Sequence, residues 1–310
     1  MFPKILVPLD GSELAERALP LAARLAAQGG SRLILLRVPV FDLPESLLPP
    51  VVERQDARWQ EYTAEDAVRA ATTYLERIAA DLAEQGIQVE TRVVEGDPAG
   101  IILDLAEMEQ ISLIVMSPRG ITGLARWVFG SVTERVLRQA SCPVLVSRGA
   151  ADVRRVFITL DGSPLAEHAI APGLDVAQRL GCPVTLLRVE PPVANNLVEE
   201  MVIEMALADN AAVTQLTDVA LANAALYLND VVERYAQPGR ILQKSLLVGK
   251  AAERIVETAE QEADSLIVMA SHGRTGLQRW VYGSVTEKVM RGANASLLII
   301  RSAFAGRPHV

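Results

Sequence analysis

The chain has 310 residues, a formal net charge of −8 and a pI near 5.1; half of its residues are hydrophobic and 22% are charged. That length suits about two domains of ordinary size, the apolar content excludes a disordered chain, and the acidic balance repels a nucleic-acid backbone, so no nucleic-acid partner is expected. Apolar runs such as Leu33–Leu36 fall far short of the ~20 residues of a membrane span, and Met1–Val7 shows neither the basic stretch nor the cleavage site of a signal peptide, so a cytoplasmic protein without a membrane partner is expected.

Taken in chain order, Lys4–Leu9 predicts a first strand. Ser12–Gln28 places Leu14, Ala18, Leu21, Ala22 and Leu25 at helical spacing and ends at Gly29-Gly30, which predicts one helix. A strand follows over Arg32–Val38, then a Pro-punctuated loop through Pro50 and a long helix or helix pair from about Val51 to Gln85. Gln88–Val94 predicts a strand, Pro98–Glu109 a helix, Ser112–Ser117 a strand, Ser131–Gln139 a helix and Val144–Ser147 a last strand.

The second half restates the first, with its long helical insertion between Asn196 and Tyr235. Pro8-Leu9-Asp10-Gly11-Ser12 recurs as Thr159-Leu160-Asp161-Gly162-Ser163, and Leu35-Leu36-Arg37-Val38 as Leu186-Leu187-Arg188-Val189, both at an offset of 151. Ser112–Met116 recurs as Ser265–Met269, and Gly120–Arg138 as Gly273–Arg291 with 14 of 19 positions identical, both at an offset of 153. A period this long is duplication of a whole domain, with boundaries expected at 1–149 and 150–310. The fold class expected is α/β: two tandem, doubly wound, mainly parallel five-stranded sheets with helices on both faces, Rossmann-like and related by internal duplication.

Ligands of open α/β sheets bind at the carboxyl ends of the strands, and a repeated motif falls there. Gly120, nine residues, then Gly130-Ser131-Val132-Thr133 opens a helix; Gly273, nine residues, then Gly283-Ser284-Val285-Thr286 repeats it. Free N–H groups of a first helical turn, a hydroxyl and close backbone approach at glycine suit a phosphate. The same residues also read as a plain capping box, Ser131 with Glu134 and Ser284 with Glu287. Asp10 and Asp161 equally read as turn or N-cap residues before a helix. Cys142 and Cys182, each followed by proline and flanked by apolar residues, read as small buried packing residues. Among His168, His272 and His309 no metal cluster can form within one chain.

These motifs resemble the universal stress protein family in its tandem two-domain form. Its signature is Gly, two residues, Gly, nine residues, then Gly with Ser or Thr; the chain matches all but the first glycine, where Ser117 and Ala270 stand. The resemblance covers nearly the whole chain, including the Gly96-Asp97-Pro98 turn, and implies an adenine-nucleotide α-hydrolase-like fold that binds ATP, with Mg accompanying the phosphates. It places Asp10 and Asp161 beside the ribose, preceded by Pro8 and Leu9 in one half and Thr159 and Leu160 in the other. Val38 and Val189 line the adenine pocket, with Met116 and Ser117, and Met269 and Ala270, on its other wall. Gly120, Gly130, Ser131, Val132 and Thr133 receive ribose and phosphates in the first half, and Gly273, Gly283, Ser284, Val285 and Thr286 in the second. Arg274, aligned with Ile121, adds a phosphate-facing cation to the second half alone.

The function expected is an ATP-binding stress-response regulatory protein, a nucleotide-occupied switch without rapid turnover and without assigned catalytic residues. Two alternatives stay open: a slow ATPase or phosphotransferase using His272 at the same site, and a nucleotide-free interaction scaffold, favoured by Ser117 and Ala270. The expected partners are the adenine nucleotide and a protein of unstated identity. The chain is expected to form an intramolecular pseudo-dimer through its last strands, which could pair again as a homodimer. Trp127 and Trp280 are expected in packing roles.

Overall fold

The computed structural model describes residues 1–39, 64–118, 129–149, 152–192, 210–271 and 283–301. The chain divides into two compact units, one of the described residues from 2 to 149 and one of those from 152 to 301.

The first unit runs β1 (Lys4–Pro8), α1 (Glu13–Glu16), α2 (Leu19–Gly29), β2 (Arg32–Arg37), α3 (Ala64–Glu84), β3 (Val89–Val93), α4 (Pro98–Met108), β4 (Leu113–Met116), α5 (Ser131–Gln139) and β5 (Val144–Val146). Its strands are all parallel in the order β3-β2-β1-β4-β5. Leu6 of β1 faces Ile34 of β2 and Ile114 of β4, and these three strands are buried residue after residue rather than alternately. Such continuous burial requires helices on both faces of the sheet, the α/β arrangement expected. Chain progress runs outward from β1 to β3 and then reverses to β4 on the other side of β1. That reversal opens a crevice at the carboxyl ends of β1 and β4.

The second unit repeats the plan as β6 (Arg155–Thr159), α6 (Pro164–Glu167), α7 (Ile170–Leu180), β7 (Val184–Glu190), α8 (Asn210–Tyr235), β8 (Leu242–Val248), α9 (Ala251–Glu260), β9 (Ser265–Ser271), α10 (Ser284–Gly292) and β10 (Ser296–Arg301). Its order, β8-β7-β6-β9-β10, is again all parallel. Four of its strands, β7 to β10, are longer than their counterparts. β7 stays paired to β8 as far as Glu190 opposite Val248, and β9 stays paired to β10 as far as Ser271 opposite Arg301.

The single helix expected over Ser12–Gln28 is two helices. Pro20 has no N–H, and in a continuous helix its ring would strike the carbonyl of Glu16. The chain instead tightens, with Arg17 and Ala18 N–H donating to the Leu14 and Ala15 carbonyls at 3.3 and 3.1 Å, and α2 starts afresh at Leu19. His168 and Ala169 make the matching bonds to Leu165 and Ala166 in the second unit, ahead of Pro172. The long helix expected from about Val51 is described from Ala64 onward, where Ala71, Leu75, Ile78 and Leu82 form its buried stripe. Cys142 is buried, whereas Cys182 is only half-buried. Trp127 and Trp280 lie outside the described residues.

Candidate functional site

The site of the first unit is built where β1, β2 and β4 end. Leu9 extends β1 by one bond, its N–H donating to the Leu36 carbonyl at 2.8 Å, and buries its side chain. Asp10 then turns the chain outward. Its Oδ1 accepts from the Ser12 N–H at 3.0 Å and the Ser12 hydroxyl at 2.6 Å, while Ser12 Oγ caps α1 by accepting from the Ala15 N–H at 3.1 Å. The aspartate is therefore a turn residue and the serine is the cap. Asp161 repeats this, accepting from the Ser163 N–H at 2.9 Å, with Ser163 accepting from Ala166 at 3.1 Å.

Opposite the turn, α5 presents its amino end. Gly130 is the N-cap and Ser131 the first helical residue, so the capping box at Ser131 and Glu134 does not form, nor does its counterpart at Ser284 and Glu287 behind Gly283. A glycine cap has no side chain with which to satisfy the first turn. The first ladder bond at α5 is Glu134 N–H to the Gly130 carbonyl at 2.9 Å, so the N–H groups of Ser131, Val132 and Thr133 lack intrahelical partners. Together with the helix dipole they make a positive end suited to an anion.

Between these elements lies a cavity of about 130 Å³. Its walls include Pro8, Leu9 and Asp10 from β1 and its turn, Val38 after β2, Met116 and Ser117 after β4, and Gly130, Ser131, Val132 and Thr133 from α5. Every described candidate residue of the first half is thus brought to one cavity. Ala15, Leu36, Pro98 and Ile102 complete it, and the sequence reading missed them. Pro98 and Ile102 come from α4, whose first turn faces α5; the Gly-Asp-Pro turn was the signal that could have found them. Gly120 lies outside the described residues, as do Gly273, Arg274 and His272.

The second unit sets its candidates at the same strand ends. Thr159 closes β6, and its hydroxyl donates to the Val268 carbonyl at 3.3 Å; Leu160 N–H donates to the Leu187 carbonyl at 2.9 Å, and Asp161 follows, exposed. Val189 is opposite Leu247 within the β7–β8 ladder, and Met269 and Ala270 are opposite Ile299 and Ile300. The matching Val38 and Ser117 stand just past their strands. Ser117 donates its hydroxyl to the Ser147 carbonyl at 3.4 Å. Gly283, Ser284, Val285 and Thr286 open α10 as their counterparts open α5, with Thr286 as buried as Thr133.

A second repeated feature fixes the aspartate turn. Gly11 and Gly162 adopt φ of +82° and +85°, open only to glycine without strain, and a Cβ on either would run into the guanidinium of Arg37 or Arg188. Each arginine lies against the turn and over an aromatic ring, Arg37 above Tyr74 and Arg188 above Tyr227, both 5.0 Å from the centroid. Tyr74 donates to Glu16 Oε1 at 2.9 Å, while Glu167 is held by both outer nitrogens of Arg234 at 2.9 and 3.0 Å. That bidentate pairing keeps the Glu167 carboxyl below its usual range. The repeat of Leu-Leu-Arg-Val carried this signal; its partners on α3 and α8 are too distant in sequence to be read as such.

Among the described residues, no helix is long and apolar enough to cross a membrane and no cluster of His, Cys, Asp and Glu could hold a metal ion. The model of the universal stress protein family matches residues 1–148 and again 152–301. Universal stress protein Rv2005c of Mycobacterium tuberculosis is 28% identical over 305 residues, covering 96% of this chain and 97% of that protein. Universal stress protein YxiE of Bacillus subtilis is 32% identical over 148 residues, 48% of this chain and all of that one. In fold, the chain is similar to a universal stress protein from Archaeoglobus fulgidus, with a TM-score of 0.66 at 18% identity over 97% of this chain and 99% of that one. A putative universal stress protein from Pseudomonas aeruginosa gives 0.70 at 18% identity over 98% and 95%.

Proposed function

Because the chain belongs to the universal stress protein family in both of its halves, we propose that it is a regulatory protein that binds an adenine nucleotide, ATP with its Mg, and signals by occupancy rather than by turnover. We take residues 1–149 and 150–310 as its two binding domains. The observation that carries this reading is the convergence of Asp10, Val38, Met116 and the Gly130–Thr133 segment on one cavity at the sheet's switch point.

The chemistry of the walls supports a nucleotide laid across the crevice. Leu36, Val38, Ile102 and Met116 make an apolar slot for a flat base, Asp10 offers a carboxylate to ribose hydroxyls, and the amino end of α5 offers unpaired N–H groups to phosphate. A volume of about 130 Å³ suits the base end, below the roughly 300–1,000 Å³ of a pocket enclosing a whole ligand. The phosphates then extend along the α5 terminus.

Titration of nucleotide-stripped protein with Mg-ATP by calorimetry, with AMP and GTP as controls, tests the reading. Saturable binding of adenine nucleotides over GTP is expected. Two sites per chain would mean that Ser117 and Ala270 are tolerated in place of glycine, one site would mean a binding half and a structural half, and absence of binding by every nucleotide would leave the interaction scaffold.

A further inference from the structure

The two halves carry the same turn, ahead of α4 and of α9, and they fill it with opposite charge. Gly96 and Gly249 have φ of +139° and +144° and are followed by N-cap residues in the same conformation, Asp97 before α4 and Lys250 before α9. Asp97 adjoins Pro98, a wall of the cavity. Its Oδ2 accepts from the Gly100 N–H at 2.9 Å and also holds the guanidinium of Arg135, on α5 just beyond the open N–H groups. The cation one turn into α5 is thereby paired with a carboxylate.

In the second half Lys250 caps nothing with its side chain and reaches Glu253 at 3.2 Å on the surface. Lys288 stands where Arg135 stands, with no carboxylate at the Asp97 position to take it up. Over ten matched positions, 95–104 carries three acidic residues and no basic one, whereas 248–257 carries two of each. The helix dipoles, glycine caps and aspartate turns are alike in the two units, so this difference of three charges over the matched segments separates their fields, in the same direction as Arg274 in place of Ile121.

On the reading that each half holds an adenine nucleotide, we propose that Asp97 and Lys250 are specificity-determining residues that sort ligands by phosphate charge: the second site takes the polyphosphate, and the first favours adenosine or a monophosphate. A fixed carboxylate beside a polyanion raises its dissociation constant, an added ammonium lowers it, and an uncharged nucleoside feels neither.

The experiment uses the full chain with one site blocked at a time, by Gly283→Val or by Gly130→Val, and measures adenosine, AMP and Mg-ATP on each by calorimetry. With the second site blocked, ATP should bind no more tightly than AMP. Adding Asp97→Asn, which keeps a cap acceptor for Gly100 while releasing Arg135, should tighten ATP by about three- to tenfold and leave adenosine unchanged, the gain shrinking at high salt. With the first site blocked, ATP should bind more tightly than AMP, and Lys250→Asp, itself a good N-cap, should weaken ATP by a similar factor. Equal ATP-to-AMP ratios at the two sites, or substitutions that move ATP and adenosine together, would overturn the sorting while leaving nucleotide binding intact. Failure of all three ligands on the unblocked chain would overturn the underlying reading as well.

Discussion

The guanidinium of Arg37 rests 5.0 Å above the ring of Tyr74, binding the end of β2 to α3 directly beneath the turn that carries Asp10. The same clasp recurs between Arg188 and Tyr227 beneath Asp161. Duplication has thus preserved the support of each turn along with the turn itself.

Tyr74→Phe keeps the ring under Arg37 and removes the hydrogen bond to Glu16. Loss of a partly buried bond to a charged acceptor should cost about 1–2 kcal/mol, read as a lower urea midpoint at an unchanged slope. Tyr74→Ala, which also removes the ring, should cost more.

Burial, followed by the hydrogen bond to Glu16, holds the Tyr74 phenol well above its ordinary value of 10, and burial with the Glu167 charge does the same at Tyr227. A phenol whose folded value is raised keeps its proton more tightly when folded. Its contribution is full below the unfolded value near 10 and is lost as pH climbs through the raised one. The wild-type urea midpoint should therefore fall more steeply above pH 10 than that of a Tyr74→Phe, Tyr227→Phe double variant, and the two phenols should show tyrosinate absorbance in the folded protein only well above pH 10.

Gly11→Ala places a Cβ at a φ of +82° and against the Arg37 guanidinium. Both effects act on the turn that presents Asp10, so the variant should lose about 1 kcal/mol or more of stability and also bind nucleotide more weakly. Gly162→Ala should do the same in the second half. A nucleotide affinity unchanged by either would separate the turn from the ligand.

Blocking the amino end of α10 with Gly283→Val should remove more ATP binding than blocking that of α5 with Gly130→Val, since Arg274 belongs to the second half alone. Equal losses in parallel titrations would sink that ranking.

Much of the architecture was legible in the chain. A strand buried on both faces reads as an unbroken apolar run, as at Leu33–Leu36, and helices announce themselves by spacing and by caps such as Gly29-Gly30; both are local properties of side chains and backbone. The duplication made every motif visible twice, and the resemblance to the universal stress protein family grouped Asp10, Val38, Met116 and Gly130–Thr133 before their cavity was seen. Local pattern failed where a single residue outweighed periodicity: apolar spacing runs straight through Pro20, but the missing N–H splits α1 from α2. At Ser131 the helix begins where its pattern predicts, and only the alternative capping box fails, because Gly130 is the cap and the serine enters the helix. Only the tertiary structure decided which distant groups meet, because the distance between Arg37 and Tyr74, or between Asp97 and Arg135, is set by how helices pack across the sheet and not by spacing along the chain.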